Sequence, residues 1–292
     1  KELELLQKQS VGLSHQSYNI DGHQWALALD AATQVSCFRS DLIESLPLSW
    51  EELFELSQNK RVIWPLKPVH AISSFYSIYN NITEEFEPIN KNFIQKDFGV
   101  KTLQMMKRIS QQLPSECFGM DPIKTAEILS EHNEFFYSPY TYGFSNYSRT
   151  GYRKNLLTYG NVIDLSGKGP CGTHLGGTGI AISNKSKNKE LALEYSYWIA
   201  GSECQQTIFY TSGGQPGNSD AWENNNINLE TNNFFKNTRL TLDQAWIRPR
   251  HNGYMKFQDE SGNIINEYLQ SNVNEVNVID KLKLMYAESF EE

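Results

Sequence analysis

The chain has no apolar run near the roughly 18 residues that a membrane-spanning helix requires. It shows no signal peptide either. It opens on Lys1-Glu2-Leu3-Glu4-Leu5-Leu6-Gln7-Lys8, which reads as an uncapped helix fragment. Positive charge is scarce: 26 Lys and Arg stand against 34 Asp and Glu, for a net charge of -8. The one short basic cluster, Arg248-Pro249-Arg250-His251, is too small for a nucleic-acid groove, so no nucleic-acid partner is expected. The four cysteines are far apart and contain no Cys-x-x-Cys, which speaks against a zinc site. There is no Gly-x-Ser-x-Gly elbow, no His-Glu-x-x-His and no Walker loop. His23, His174 and His251 are spread out without ligand spacing. No catalytic residue, metal or cofactor is therefore expected.

What is present is an ordinary globular composition, 39% hydrophobic and 21% charged, with 15 Tyr and 6 Trp. Its 292 residues suffice for one large core or two modest ones. Asp21-Gly22 between strand-like runs signals a hairpin. Strands are expected at 25–29, 34–38, 61–66, 134–138, 156–162 and 179–183. Ser49 with Glu52 three residues on forms a capping-box pattern at a helix start. Further helices are expected at 70–80, 100–113, 122–130, 189–201, 202–210, 234–245 and 278–290. The stretch 81–98 reads as irregular. Pro139 ends a strand, and Tyr140 to Tyr147 reads as an aromatic-rich loop. Residues 166–177 are a glycine-rich loop, 211–217 a turn, and the stretch 218–233, with seven asparagines, surface. Strands alternating with helices imply an α/β fold with a mainly parallel sheet. Cys37 and Cys204 read as small packed hydrophobes. Cys117 and Cys171 lie in loop-like sequence and are the candidates for a disulfide in an oxidising compartment.

Two long segments carry a resemblance. "GHQWALALDAATQVSCFRSDLI" followed by "LSWEELFELSQ", and "GGTGIAISNKSKNKELALEYSYWIAGSECQQTIFYTSGGQP", resemble in order and spacing the crossover stretches of the family 1 extracellular solute-binding proteins of ABC transporters. These are the maltose-binding-protein-like proteins of the type II periplasmic binding fold. The resemblance runs from about residue 1 to the end. It implies a two-lobed α/β fold that closes on a ligand. Lobe one is expected to be incomplete at its N-terminus, because members of the family begin with further residues. The lobes are assigned as 1–33, 174–216 and 249–292 for lobe one, discontinuous, and 34–173 with 217–248 for lobe two. The implied function is capture of a small solute, a carbohydrate first, for an ABC importer. The partner is then a membrane permease, the location periplasmic or extracellular, and the chain a monomer that catalyses nothing. The alternatives are a binder of an organic acid or other anion, and a two-lobed α/β enzyme with an unrecognised active site.

The family's ligand lies between the lobes near the crossovers, and sugars there need aromatic faces and a few fixed polar groups. Tyr140 and Tyr142 fall on the aromatic stretch, with Asn146 as a neighbouring amide. Asp30 ends an apolar strand where a carboxylate is poorly placed for a core, and Gln34 follows. Gly177 and Thr178, after Gly176, let backbone approach a ligand or bend at a hinge. Gln215 lies in the Gly-Gly-Gln-Pro turn. Lys67 and His70 enter a helix whose N-terminus attracts anionic or hydroxylated groups. Arg250 and Tyr254, with Arg248 alongside, occupy a proline-bearing segment. There Arg250 is suited to a bidentate carboxylate contact.

Overall fold

The computed structural model describes residues 1–83 and 94–291. The expected irregular stretch 81–98 falls largely outside them. The elements run α1 (Glu2–Lys8), β1 (Asn19–Ile20), β2 (His23–Gln24), β3 (Leu27–Ala28), β4 (Gln34–Phe38), α2 (Trp50–Gln58), α3 (Pro68–Ile82), α4 (Lys96–Ser110) and α5 (Pro122–Glu131). There follow β5 (Tyr137–Tyr142), β6 (Thr158–Gly160), β7 (Gly179–Ile180), α6 (Lys189–Ala200), the short α7 (Ser202–Cys204), α8 (Ser219–Glu223), α9 (Asn225–Glu230), α10 (Phe234–Asp243), α11 (Tyr254–Leu269) and α12 (Glu275–Glu288).

Local chemistry accounts for many boundaries. β1 and β2 form the expected hairpin, with Asp21 and Gly22 both at positive φ, as its tight turn demands. At α2 the Ser49 hydroxyl accepts from the Glu52 amide at 3.2 Å, while the Glu52 carboxylate accepts from the Leu48 amide. The expected surface stretch 218–233 is instead two short helices. Asn218 and Asn224 supply the caps, and Trp222 and Ile227 are buried beneath them. The asparagines there are helix punctuation rather than plain surface polarity.

A three-stranded sheet in the order β5-β4-β6 organises the larger part of the molecule. Its pairings are antiparallel, as are those of β1 with β2 and β3 with β7. The expected mainly parallel sheet is not found among the described residues. Parallel pairing is confined to isolated bridges, Val62 with Tyr137 and His174 with Trp246. The former is all that remains of the strand expected at 61–66. Alternation of strands and helices sets the class, but not the end of the sheet from which each strand re-enters.

β5 runs straight through Pro139, because its register against β4 shifts between Val35 and Cys37. The bulge leaves Pro139 without a ladder bond to donate. It also sets Tyr140 beside Tyr137 on one side of the sheet, both buried in the same core. At the end of β4 the buried Arg39 guanidinium donates to both carboxylate oxygens of Asp41, to the Leu129 and His132 carbonyls and to the Asn133 side chain. It thus pins β4 to the C-terminal end of α5.

Two large cores flank this sheet. One gathers Phe38, Trp64, Phe75, Leu103 and Tyr140, and the other Val35, Cys37, Tyr159, Phe234 and Phe235. The C-terminal segment 249–292 packs on the first core. Tyr254, Phe257, Ile265 and Tyr268 of α11 and Ile279 and Leu282 of α12 join Phe75 and Leu103 there. Close approach is possible because Gly262 lies against the Pro68 carbonyl, where a Cβ would overlap it. A small third cluster of Leu6, Leu27 and Ala200 joins α1, β3 and α6. The four cysteines are free and buried. Cys117 packs in the second core, so the disulfide considered with Cys171 is not formed.

Candidate functional site

A cavity of about 390 Å³ opens between the β1–β2 hairpin, the Leu175–Gly177 segment and the stretch from Ile247 into the first turn of α11. A second groove of about 490 Å³ lies between α1 and α6, walled by Leu5, Leu6, Leu193 and Trp198. The smaller cavity is the better candidate, because polar, cationic and aromatic groups converge on it while the groove is mostly apolar. Tyr18, Arg248, Arg250, His251 and Tyr254 line it.

Its floor is the place where separate chain segments cross. The Leu29 and Asp30 amides donate to the Thr178 carbonyl at 3.0 and 3.2 Å, and the Gly176 amide donates to the Ala32 carbonyl at 2.7 Å. Gly177 adopts φ +125° against the Asp30 carbonyl, where a Cβ would overlap the oxygen. Only glycine fits there. Tyr142 packs on Gly176 and donates to the His174 carbonyl at 3.2 Å. Burial pushes the Tyr142 hydroxyl up to about 12.

Burial governs the electrostatics. It pushes the Asp30 carboxyl up to about 6, offset in part by the Thr178 N–H. It pushes His70 down to about 4. Burial and the Arg248 charge hold His174 well below the ordinary imidazole range. His174 is 3% exposed, stacks on Trp246 at 5.3 Å and faces the Ser73 hydroxyl through Nδ1, while its Nε2 has no hydrogen-bond partner. The charge of Arg248 acts on Tyr18, Tyr142, His174 and Tyr254.

The structure brings some of the expected residues together and separates others. Gly177, Arg250 and Tyr254 line the cavity. Asp30 and Tyr142 lie at its margin, and His70 sits behind Tyr142, with ring centroids 6.2 Å apart. Thr178 is exposed and contributes a backbone carbonyl to the crossing. Tyr140 is a correction: it is fully buried against Trp64 at 5.8 Å because of the bulge in β5. Gln34 is also core, its amide shared between Ser74 at 3.0 Å and Ser77 at 2.6 Å. Gln215 is a strut that accepts from the Ser145 amide and donates to the Ala31 carbonyl. Asn146 donates to the Gly213 carbonyl, and Lys67 is an exposed helix-start residue away from the cavity.

No protein-family model matches the chain, and no curated protein matches it in sequence. Solved structures do match its fold. Maltose-bound MalE3 of T. maritima superposes with a TM-score of 0.79 at 15% identity, covering 97% of this chain and 77% of that one. An ABC transporter solute-binding protein of Agrobacterium radiobacter K84, in complex with ribitol, gives 0.75 at 17%, covering 98% and 76%. The maltose/maltodextrin-binding domain of Bdellovibrio bacteriovorus, bound to maltotriose, gives 0.74 at 15%, covering 99% and 79%. The chain has the two-lobed fold of the ABC solute-binding proteins. The structural likeness thus agrees with the resemblance carried by the two crossover stretches.

Within this two-lobed fold, Tyr18 at the cavity and His174 behind it escaped the sequence reading. Tyr18 was absorbed into a strand entry, although an aromatic beside an Asp-Gly turn is a weak pointer to a rim. His174 had no partner at recognisable spacing, because Ser73 and Trp246 reach it from distant segments.

Proposed function

We propose that this chain is the solute-binding component of an ABC importer, and that it captures a small hydroxylated solute in the cavity beside Tyr18 and Tyr254 by closure of its two lobes. The observation that carries this reading is the cavity itself. It lies over the crossing at Gly176 and Gly177, with Tyr18 on one side and the 247–255 segment on the other. Aromatic rings offer faces to the apolar C–H side of a sugar, and the arginines, His251 and backbone groups offer bonds to its hydroxyl rim. The crossing segments turn through Gly176 and Gly177, so a small change in their dihedrals can rotate one part against the other. A ligand that touches both sides favours the closed arrangement by its differential affinity. The fold neighbours bound to maltose, ribitol and maltotriose support a sugar or polyol as the solute class. On this reading the protein acts as a monomer outside the inner membrane, delivers its solute to a permease and turns nothing over. Among the described residues no helix is long and apolar enough to cross a membrane.

The test is a thermal-shift screen of the full-length protein against sugars, polyols, organic acids, amino acids and polyamines. A rise with the carbohydrate class is expected. Tyr18→Ala is expected to weaken that binding by about 1–3 kcal/mol through lost stacking and burial. A screen with no shift from any class removes the reading.

A further inference from the structure

Two guanidinium groups stand in one wall of the cavity, two residues apart in the chain, on Arg248 and Arg250. Among the described residues neither is within ion-pair distance of a carboxylate, although Arg39, Arg108, Arg153 and Arg239 each have an acidic partner. Among the described residues Arg248 donates to the neutral Gln258 side chain, at 3.1 Å. The cavity wall contains no Asp or Glu among the described residues, in a chain whose acids outnumber its bases by 34 to 26. The Asp30 charge is felt at Tyr18, but Asp30 makes no ion pair with either arginine. Burial, and then the Arg248 charge, disfavour the charged form of Arg250.

Two adjacent, partly desolvated cations of like sign repel each other, and a bound anion removes that penalty. The first turn of α11 enters the same cavity through Tyr254 and Met255, carries no acidic residue and presents the positive end of a 16-residue helix. The aromatic rings of Tyr18 and Tyr254 complete the wall. We infer that the solute of this cavity is an acidic sugar, its carboxylate held by Arg248 and Arg250 and its ring set against Tyr18. The inference rests on the solute-binding reading above and names its substrate class. A guanidinium fork matches a carboxylate in geometry as well as charge, which makes the contact selective rather than merely attractive. A local cationic cleft in an otherwise acidic protein also draws anions to the site and away from the rest of the surface.

The experiment is isothermal titration of the full-length protein with D-galacturonate, D-glucuronate and digalacturonate, each against its neutral parent sugar. The titrations are repeated on Arg250→Gln and at raised NaCl. An acid is expected to bind at least about tenfold tighter than its neutral parent. Arg250→Gln is expected to lower acid affinity about ten- to a hundredfold and neutral-sugar affinity by a much smaller factor, with the melting temperature unchanged. Raised salt is expected to weaken the acid alone. Equal or tighter binding of the neutral sugars, with Arg250→Gln harmless, overturns the inference and leaves the binder reading intact. Absence of binding by acids and neutral sugars alike, together with a flat thermal-shift screen, overturns both.

Discussion

Helices α3 and α6 make an instructive pair. α3 is built from weak helix formers (Pro-Val-His-Ala-Ile-Ser-Ser-Phe-Tyr-Ser-Ile-Tyr-Asn-Asn-Ile), and eleven of its fifteen residues are buried. α6 is richer in strong formers such as Lys, Glu, Leu and Ala, yet only Ser196 and Ala200 of its twelve residues are buried. α3 is a helix because α4, α11 and the β4–β5–β6 sheet surround it, so tertiary burial overrides propensity. α6 is a helix largely by its own sequence, and it holds Leu191 65% and Trp198 45% exposed. The same contrast extends to the units they belong to. The large cores hold dozens of buried side chains, while the α1–β3–α6 cluster holds three. Hydrophobic residues on a helix therefore mark a core only where another element arrives to cover them.

That comparison breaks most visibly at Phe75, which is fully buried between Tyr76 and Tyr79. Phe75→Ala is expected to cost about 3–5 kcal/mol in a urea or guanidinium titration. A loss below about 1 kcal/mol would mean that α3 is not held by its packing. The crossing that joins the two units supplies a smaller, pH-dependent effect. Asp30 has a folded pKa near 6, above its unfolded value, so the folded chain holds more protons between about pH 4 and 6. Asp30 therefore costs stability above pH 6, and the cost disappears as pH falls toward 4. Asp30→Asn is expected to raise stability by about 1–2 kcal/mol at pH 7.5 and to change it little at pH 4. A stabilisation that is the same at both pH values would assign the effect to packing instead. The smallest effect is expected at α6: Leu191→Ala should stay within about 0.5 kcal/mol. A loss there comparable with that of Phe75→Ala would show that α6 is covered, and would erase the contrast.

Much of the fold was legible where short-range chemistry decides. The Asp21-Gly22 turn, the Ser49 cap, β4 and helices α3, α4, α5, α6, α10 and α12 follow from turn geometry, capping and periodicity, as does the packing of Cys37 and Cys204; α11 does not. The candidate site was legible in part. Arg250, Tyr254 and Gly177 stood out because cations, aromatics and glycines in proline- and glycine-bearing stretches are hard to place in a core. Tyr140, Gln34 and Gln215 were misplaced for one shared reason. Each is polar or amphipathic and lies beside a crossover, but each finds its partners in elements far along the chain: Trp64, Ser74 with Ser77, and Ser145 with Ala31. A buried amide that is fully bonded has the same sequence signature as one that waits for a ligand.

The amino-acid sequence by itself determined the α/β class, the crossover stretches and the absence of a strong cationic surface, because these depend on composition and on contacts within a few residues. Only the tertiary structure decided that strands pair antiparallel, that the C-terminal helices close the first core, and that Tyr18, Arg248, Arg250 and Tyr254 line one cavity. Each of these depends on which distant segments meet. A bulge of one residue or a glycine at a helix crossing changes that meeting without changing the local pattern.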